Sequence, residues 1–189
     1  MKLARLLMRA ATLPLALLLV SAAPVDQVIP HPDVEGEALL VPHDSPVQFH
    51  RFDKYGRARF SGRFVLTGSF AYGCRIDCEG PAKDAFFRFD VVPDPALAAR
   101  LPRWKVHNND IMIVVSREAP LVRQIATRRQ RAGIEAQRIP DIQGRIAILV
   151  DEFETGLDCD SANFSSRFLA LPKAPKLAKA EFNGDYGCG

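Results

Sequence analysis

The sequence predicts a mainly β domain with one helix, folded as a small five-stranded barrel in the order β-β-β-α-β-β. Five segments carry apolar residues at the spacing of strands, and one carries the spacing of a helix. The first strand is too long for a flat sheet and contains glycines, as expected where a strand bends at a barrel corner. The chain has 189 residues, of which 48% are hydrophobic, so one domain can bury a sufficient core. A helix-capped β-sandwich is the alternative fold.

The first strand is predicted over residues 57–73, where apolar and polar side chains alternate. Phe64 and Leu66 belong to the apolar set, and most of the intervening positions are arginine, serine or threonine. A period of two places one face of the strand in the core and the other in water. Gly62 and Gly68 would let the strand bend.

The remaining elements follow from the same kinds of pattern. Further strands are predicted over residues 85–92, 111–115, 144–154 and 162–171, with a helix between the third and fourth strands. Ser116 is expected to cap this helix and Gly133 to end it. Arg128 and Arg129 are then expected near the C-terminal end of the helix, where positive charge is favourable.

The order of elements over residues 56–171 resembles the five-stranded oligonucleotide/oligosaccharide-binding (OB) barrel. In that barrel the ligand face is formed by the second and third strands and by the loops after the first and fourth strands. The resemblance implies a ligand face that includes the loops at 74–84 and 155–161 and the side chains of Arg88, Arg103, Trp104 and Lys105. Arginine beside an aromatic ring can bind sugars or single-stranded nucleic acid. In the alternative interpretation, Trp104 covers one end of the core and the charges are solvated.

The N-terminus has the pattern of a secretory signal peptide over residues 1–22. Basic residues at Lys2, Arg5 and Arg9 precede an apolar stretch at 10–20 that is too short to span a bilayer. Small or permissive residues before position 23 favour cleavage after Ala22, although an uncleaved membrane anchor is the alternative. We therefore expect an exported protein, either periplasmic or secreted.

Removal of the predicted signal peptide leaves a chain without net charge. It takes away three basic residues and leaves 22 basic and 22 acidic residues. A general basic field for nucleic acid or anionic lipid is therefore not predicted, and there is no DNA-binding signature. No second apolar run is long enough to span a membrane. The remaining chain is divided into an irregular Pro-rich lead-in at 23–55, the β domain at 56–171 and a tail at 172–189.

Four cysteines remain after the predicted cleavage, namely Cys74, Cys78, Cys159 and Cys188. An even number of cysteines in an exported chain favours disulfides. Pairing Cys74 with Cys78 and Cys159 with Cys188 needs the fewest geometric assumptions and would tie down the tail, but the other pairings stay open. A zinc site would need a CxxC spacing that the sequence lacks.

The sequence contains no recognisable catalytic constellation. There is no G-x-S-x-G nucleophile motif, and His107 is interpreted as a loop residue before the third strand. Acidic side chains cluster at Asp151, Glu152, Glu154, Asp158 and Asp160, where turn formation and solvation explain them. No cofactor and no metal site are predicted.

We therefore expect a non-catalytic binding or interaction module of the cell envelope or exterior, with an unknown ligand or protein partner. The first alternative is a small hydrolase that uses two of the clustered carboxylates in acid/base catalysis. The second is an inhibitor-like structural protein, which would expose an apolar patch to a protein partner.

Overall fold

The computed structural model describes residues 25–76, 86–107, 110–136, 141–158, 161–172 and 176–177. It contains the strands β1 (Val25–Pro30), β2 (Ala38–Pro42), β3 (Gln48–Phe52), β4 (Ala58–Ser61), β5 (Arg63–Ile76), β6 (Phe86–Pro93), β7 (Arg103–Trp104), β8 (Ile113–Ser116), β9 (Asp141–Asp158), β10 (Ser161–Ala170) and β11 (Lys176–Leu177). The helices are α1 (Pro95–Ala98), α2 (Glu118–Ile125) and α3 (Arg128–Glu135). The predicted mainly β class is confirmed.

Five strands pair in a ring-like sheet. β5 is antiparallel to both β6 and β9, and β6 is antiparallel to β8. β8 runs parallel to β10, and β10 returns antiparallel to β9, which closes the ring. β4 continues the sheet from the far end of β9, and β3 pairs with β4 at the edge.

The predicted first strand is divided in two by Gly62. This glycine has φ of 122°, and a Cβ there would lie 2.9 Å from the carbonyl oxygen of Pro46. β4 therefore ends before it and β5 begins after it. At Gly68 the neighbouring strand comes closer still, because a Cβ would lie only 2.0 Å from the carbonyl oxygen of Val92. Backbone geometry therefore requires glycine at both positions, and the predicted bend is present at Gly62, where the strand is interrupted.

The Pro-rich lead-in predicted as irregular over residues 23–55 instead contains β1, β2 and β3. β1 pairs with β2, and β2 pairs with β7, in a separate three-stranded antiparallel sheet. The prolines are compatible with these strands because Pro30 and Pro42 occupy their last positions. At a strand end the missing backbone N–H removes little from the ladder.

The core fills the inside of the ring with large apolar side chains. Phe64, Leu66 and Phe70 of β5 are buried, which confirms the predicted alternation. The ring of Phe153 lies at the centre of an aromatic cluster, with centroids 5.4 Å from Phe60 and 6.1 Å from Phe64. These contacts join β9 to β4 and β5 across the core.

The single predicted helix is two helices, which corrects the expected position of its arginines. Thr127 caps α3, because its hydroxyl accepts from the backbone N–H of Gln130 at 3.2 Å and the Gln130 side chain accepts from the N–H of Thr127 at 2.9 Å. Arg128 and Arg129 therefore lie in the first turn of α3, not near a helix C-terminus. The expected Ser116 cap is also wrong, because left-handed Arg117 precedes α2.

β9 is longer than predicted and absorbs most of the expected loop at 155–161. It runs through Asp158, and only residues 159–160 separate it from β10. A bulge lies near Asp151, since Glu152 has φ of 50° and the register with β10 shifts there. In the tail, β11 pairs with Arg145 and Gly144 of β9, and residues 178–189 lie outside the described residues.

Replacement of Gly68 tests the close approach of β5 and β6. Gly68→Ala is expected to lower the free energy of unfolding by about 1–3 kcal/mol, because the new methyl group meets backbone atoms of β6 that cannot rotate away. Urea denaturation measures the change.

Gly156→Ala is the matched control. Its Cβ would meet side-chain atoms, with Arg57 Cγ at 3.1 Å and Asn163 Oδ1 at 3.3 Å, and these can move. Equal losses from both substitutions would contradict a special constraint at Gly68.

Candidate functional site

Trp104, expected as an exposed aromatic platform, lies in the core. Its side chain is 1% exposed, and its indole Nε1 donates to the hydroxyl of Thr155 at 2.9 Å. The rings of Phe52 and His31 lie against it, with centroids 6.4 and 5.4 Å away. The indole therefore presents no open face to a ligand, as the alternative interpretation anticipated.

The other residues of the expected ligand face are divided between the two sheets. Arg88 lies on β6 of the ring, where its Nε is 2.7 Å from Oδ1 of the buried Asp90. Arg103 is half-buried and lies on β7, in the three-stranded sheet. Lys105 is exposed and directly follows β7. The structure therefore assigns these cations to different surroundings.

The predicted cysteine pairing lies largely outside the described residues. Cys74 lies on β5 opposite Phe87 and is disulfide-bonded. Cys78, Cys159 and Cys188 fall outside the described residues, so the pairing stays a prediction.

The carboxylates considered for acid/base catalysis are engaged by arginines. Asp151 accepts two hydrogen bonds of 2.8 Å from Arg167, which also lies 2.6 Å from Glu152. The hydrogen bonds from Arg167 hold the pKa of Asp151 below its ordinary value. In the same way Arg59 bridges Glu154 and Asp53, at 2.9 and 3.0 Å. These pairs hold neighbouring strands together.

Buried Glu37 forms a pair with partly buried His107, and no local pattern in the sequence indicates this pair. Glu37 is 4% exposed, and its Oε1 accepts from the backbone N–H groups of Ala38, Lys105 and Val106 at 3.0, 2.8 and 3.1 Å. Its Oε2 lies 2.5 Å from Nδ1 of His107. Burial raises the pKa of Glu37, but these hydrogen bonds together lower it below the usual value. The pair fixes β2 to the segment that follows β7.

A groove lies where the β1–β2 hairpin meets the start of β3. Its volume is about 370 Å³, within the range of small-molecule sites. The walls combine apolar side chains with side chains that form hydrogen bonds, from Gln27, Val41, Pro42, His43, Ser45, Val47, Gln48 and Phe49. Among the side chains that the structure describes, no carboxylate, lysine or arginine lines it. The lining therefore suits an uncharged ligand with several hydrogen-bonding groups.

The turn that carries one wall of the groove is held in place by Arg100. The Arg100 guanidinium donates to the carbonyl oxygen of Asp44 at 3.0 and 2.8 Å and pairs with its carboxylate at 2.9 Å. Within the turn, Ser45 N–H donates to the carbonyl of Pro42 at 3.0 Å. These bonds fix the wall before any ligand arrives, which reduces the entropy lost on binding.

The groove was missed because its residues lie in the segment predicted as irregular. One local signal was present: the apolar run of residues 38–42, bounded by Gly36 and Pro42, is typical of a short buried strand. The register of that strand against β1 and β7 depends on distant residues, so the sequence did not indicate a groove beside it.

Metal-binding clusters and membrane-spanning helices were not found among the described residues. In the described ranges, no three histidine, cysteine, aspartate or glutamate residues are grouped so that they could hold a metal ion. Among the helices of this same part of the chain, none has the length and apolar character to cross a membrane.

Comparison with known proteins gives no relative. No family model, no curated protein and no solved structure matches this chain.

The Glu37 carboxylate is expected to stabilise the fold in a pH-dependent way. Glu37→Gln should lower the free energy of unfolding at pH 7 by about 1.5–3 kcal/mol, the range for hydrogen bonds to a charged group. Because the pKa of Glu37 is lower in the folded than in the unfolded protein, this stabilisation is complete above the ordinary glutamate pKa of about 4.3. It is lost as the pH falls through the lowered folded-state pKa.

Denaturation of wild type and variant between about pH 3 and pH 7, in steps of about half a pH unit, measures this effect. Glu35→Gln, at an exposed acid two residues away, is the control and should leave the profile unchanged. A wild-type profile that stays parallel to that of Glu37→Gln throughout the acid range would contradict the assignment.

Proposed function

We propose that this chain is an exported, non-catalytic binding module that takes an uncharged ligand in the groove between the β1–β2 hairpin and β3. The groove carries this proposal, because it is a preformed concave site lined by neutral hydrogen-bonding and apolar side chains. Export is supported by the signal-like pattern of residues 1–22, which lie outside the described residues.

We further propose that the ring is an OB-like barrel. Five ring strands, with the helices between the third and fourth of them in chain order, support this assignment. Among the described strands, β8 and β10 pair in parallel. This is expected in an OB-like barrel, where the last ring strand returns beside the third. The proposed binding site nevertheless differs from the face that the resemblance implied, since Trp104 is buried and the groove is built by β1, β2 and β3.

The surroundings of the carboxylates favour a binding module over the hydrolase. An acid/base pair on a glycoside requires one carboxyl group that keeps its proton near neutral pH, which needs a raised pKa. Asp151 has a lowered pKa through Arg167, and Glu154 is paired with Arg59. Both carboxylates are therefore explained as members of cross-strand ion pairs.

Binding to arrays of uncharged oligosaccharides and of short neutral peptides, followed by calorimetry on the retained ligands, tests the proposal. The double variant Gln27→Ala/Gln48→Ala is expected to weaken binding about tenfold or more. Each side chain contributes a neutral hydrogen bond worth about 0.5–1.5 kcal/mol, and 1.4 kcal/mol corresponds to a factor of ten.

Gln124→Ala/Gln143→Ala removes two glutamines that lie away from the groove, and its affinity should stay within about twofold of wild type. A ligand whose affinity falls equally in both double variants would contradict the groove as the site. The absence of any retained ligand would contradict the binding module itself.

A further inference from the structure

The segment Arg117–Glu135, which contains α2 and α3, concentrates positive charge in a chain that is otherwise balanced. It holds five arginines and two glutamates. Arg123, Arg128 and Arg129 are exposed, and none of the three forms an ion pair within the described part of the chain. By contrast, Arg59 on β4 and Arg100 after α1 form ion pairs that hold the fold together.

The placement of two of these arginines, Arg128 and Arg129, does not stabilise the helix that carries them. Arg128 and Arg129 lie in the first turn of α3, which contains no acidic residue, so they face the positive end of the helix dipole. Ile134 is the buried residue of this helix, and the rest of its surface is polar or small. A sequence that opposes the local electrostatics without adding to the core indicates a role outside folding.

The helices are held so that these side chains surround one junction. Arg131 Nη1 donates to the carbonyl oxygens of Ala126 at 2.9 Å and of Arg123 at 3.4 Å, which ties α3 to the C-terminal end of α2. The reciprocal bonds between Thr127 and Gln130 fix the first turn of α3. Arg123, Arg128 and Arg129 are therefore displayed by fixed backbone on either side of the two residues Ala126 and Thr127.

We propose that Arg123, Arg128 and Arg129, the α2–α3 arginine surface, dock the protein peripherally on anionic phospholipid headgroups. Guanidinium groups match phosphate in charge and hydrogen-bonding geometry. The three arginines are exposed and distributed over two helices, which suits an extended layer of phosphates better than one small anion. No large exposed hydrophobic side chain occurs among the described residues of α2 and α3, so the contact is electrostatic without insertion. This surface is separate from the groove and does not depend on the function proposed for it.

Co-sedimentation with lipid vesicles tests the proposal, with protein recovered from an exporting host and its N-terminus established by mass spectrometry. Wild-type protein is expected to bind vesicles of phosphatidylglycerol and phosphatidylcholine at low salt, and not vesicles of phosphatidylcholine alone. Binding should be lost in about 1 M salt, where the screening length falls to about 3 Å. The triple variant Arg123→Gln/Arg128→Gln/Arg129→Gln should bind about a hundredfold more weakly, as expected for three cations near an anionic surface.

The matched control is Arg51→Gln/Lys54→Gln/Lys105→Gln, which removes the same charge from exposed positions outside the helices and should keep most of the binding. Thermal melting checks folding. The helix variant should melt close to wild type, because it removes two unfavourable charges from the start of α3 and one favourable charge from the last turn of α2.

Three results would overturn the proposal. They are equal weakening by both triple variants, binding to phosphatidylcholine as tight as to phosphatidylglycerol, and binding to inorganic polyphosphate without binding to anionic vesicles.

Discussion

Trp104 donates its indole N–H to the Thr155 hydroxyl at 2.9 Å, and that hydroxyl donates onward to the carbonyl of Asn163 at 2.8 Å. This chain of hydrogen bonds runs from β7 through β9 to β10, and Thr155 is completely buried. A buried donor or acceptor that loses its partner costs about 1–3 kcal/mol, so each group in the chain depends on the next. The position of the three-stranded sheet against the ring depends on this contact, because β7 carries Trp104 and pairs with β2.

The groove and the Glu37–His107 pair lie at opposite ends of β2, and both require that strand to stay in register. Glu37 binds the backbone after β7 at the first end. At the second end, Pro42 leads into the turn that Arg100 holds against α1. A rigid scaffold that positions a loop-built site is the usual arrangement of binding proteins. The charged α2–α3 arginine surface lies on a different part of the molecule, so ligand binding and surface docking can operate independently.

Local patterns in the sequence predicted the elements whose causes are local. The alternation of Phe64 and Leu66 identified a strand, and Gly62 identified the point where it is interrupted. The two-helix break was also readable, since Thr127 and Gln130 have capping-box spacing, but the apolar stripe favoured one longer helix. Glu37 and His107 are 70 residues apart, and no local pattern joins them. The same limit applies to Trp104, because an aromatic residue between two cations is compatible with an exposed ligand-binding ring as well as with a buried core side chain.

The coupling between Trp104 and Thr155 tests most directly whether this contact holds the two sheets together. A double-mutant cycle with Trp104→Phe and Thr155→Val, measured by urea denaturation, separates their interaction from the packing lost in each single variant. A coupling free energy of about 1–3 kcal/mol is expected, because Thr155→Val leaves the buried indole N–H of Trp104 without an acceptor, a cost that disappears when Trp104 is already phenylalanine. Losses that add within about 0.5 kcal/mol would contradict it and would leave apolar packing alone to hold the three-stranded sheet on the ring.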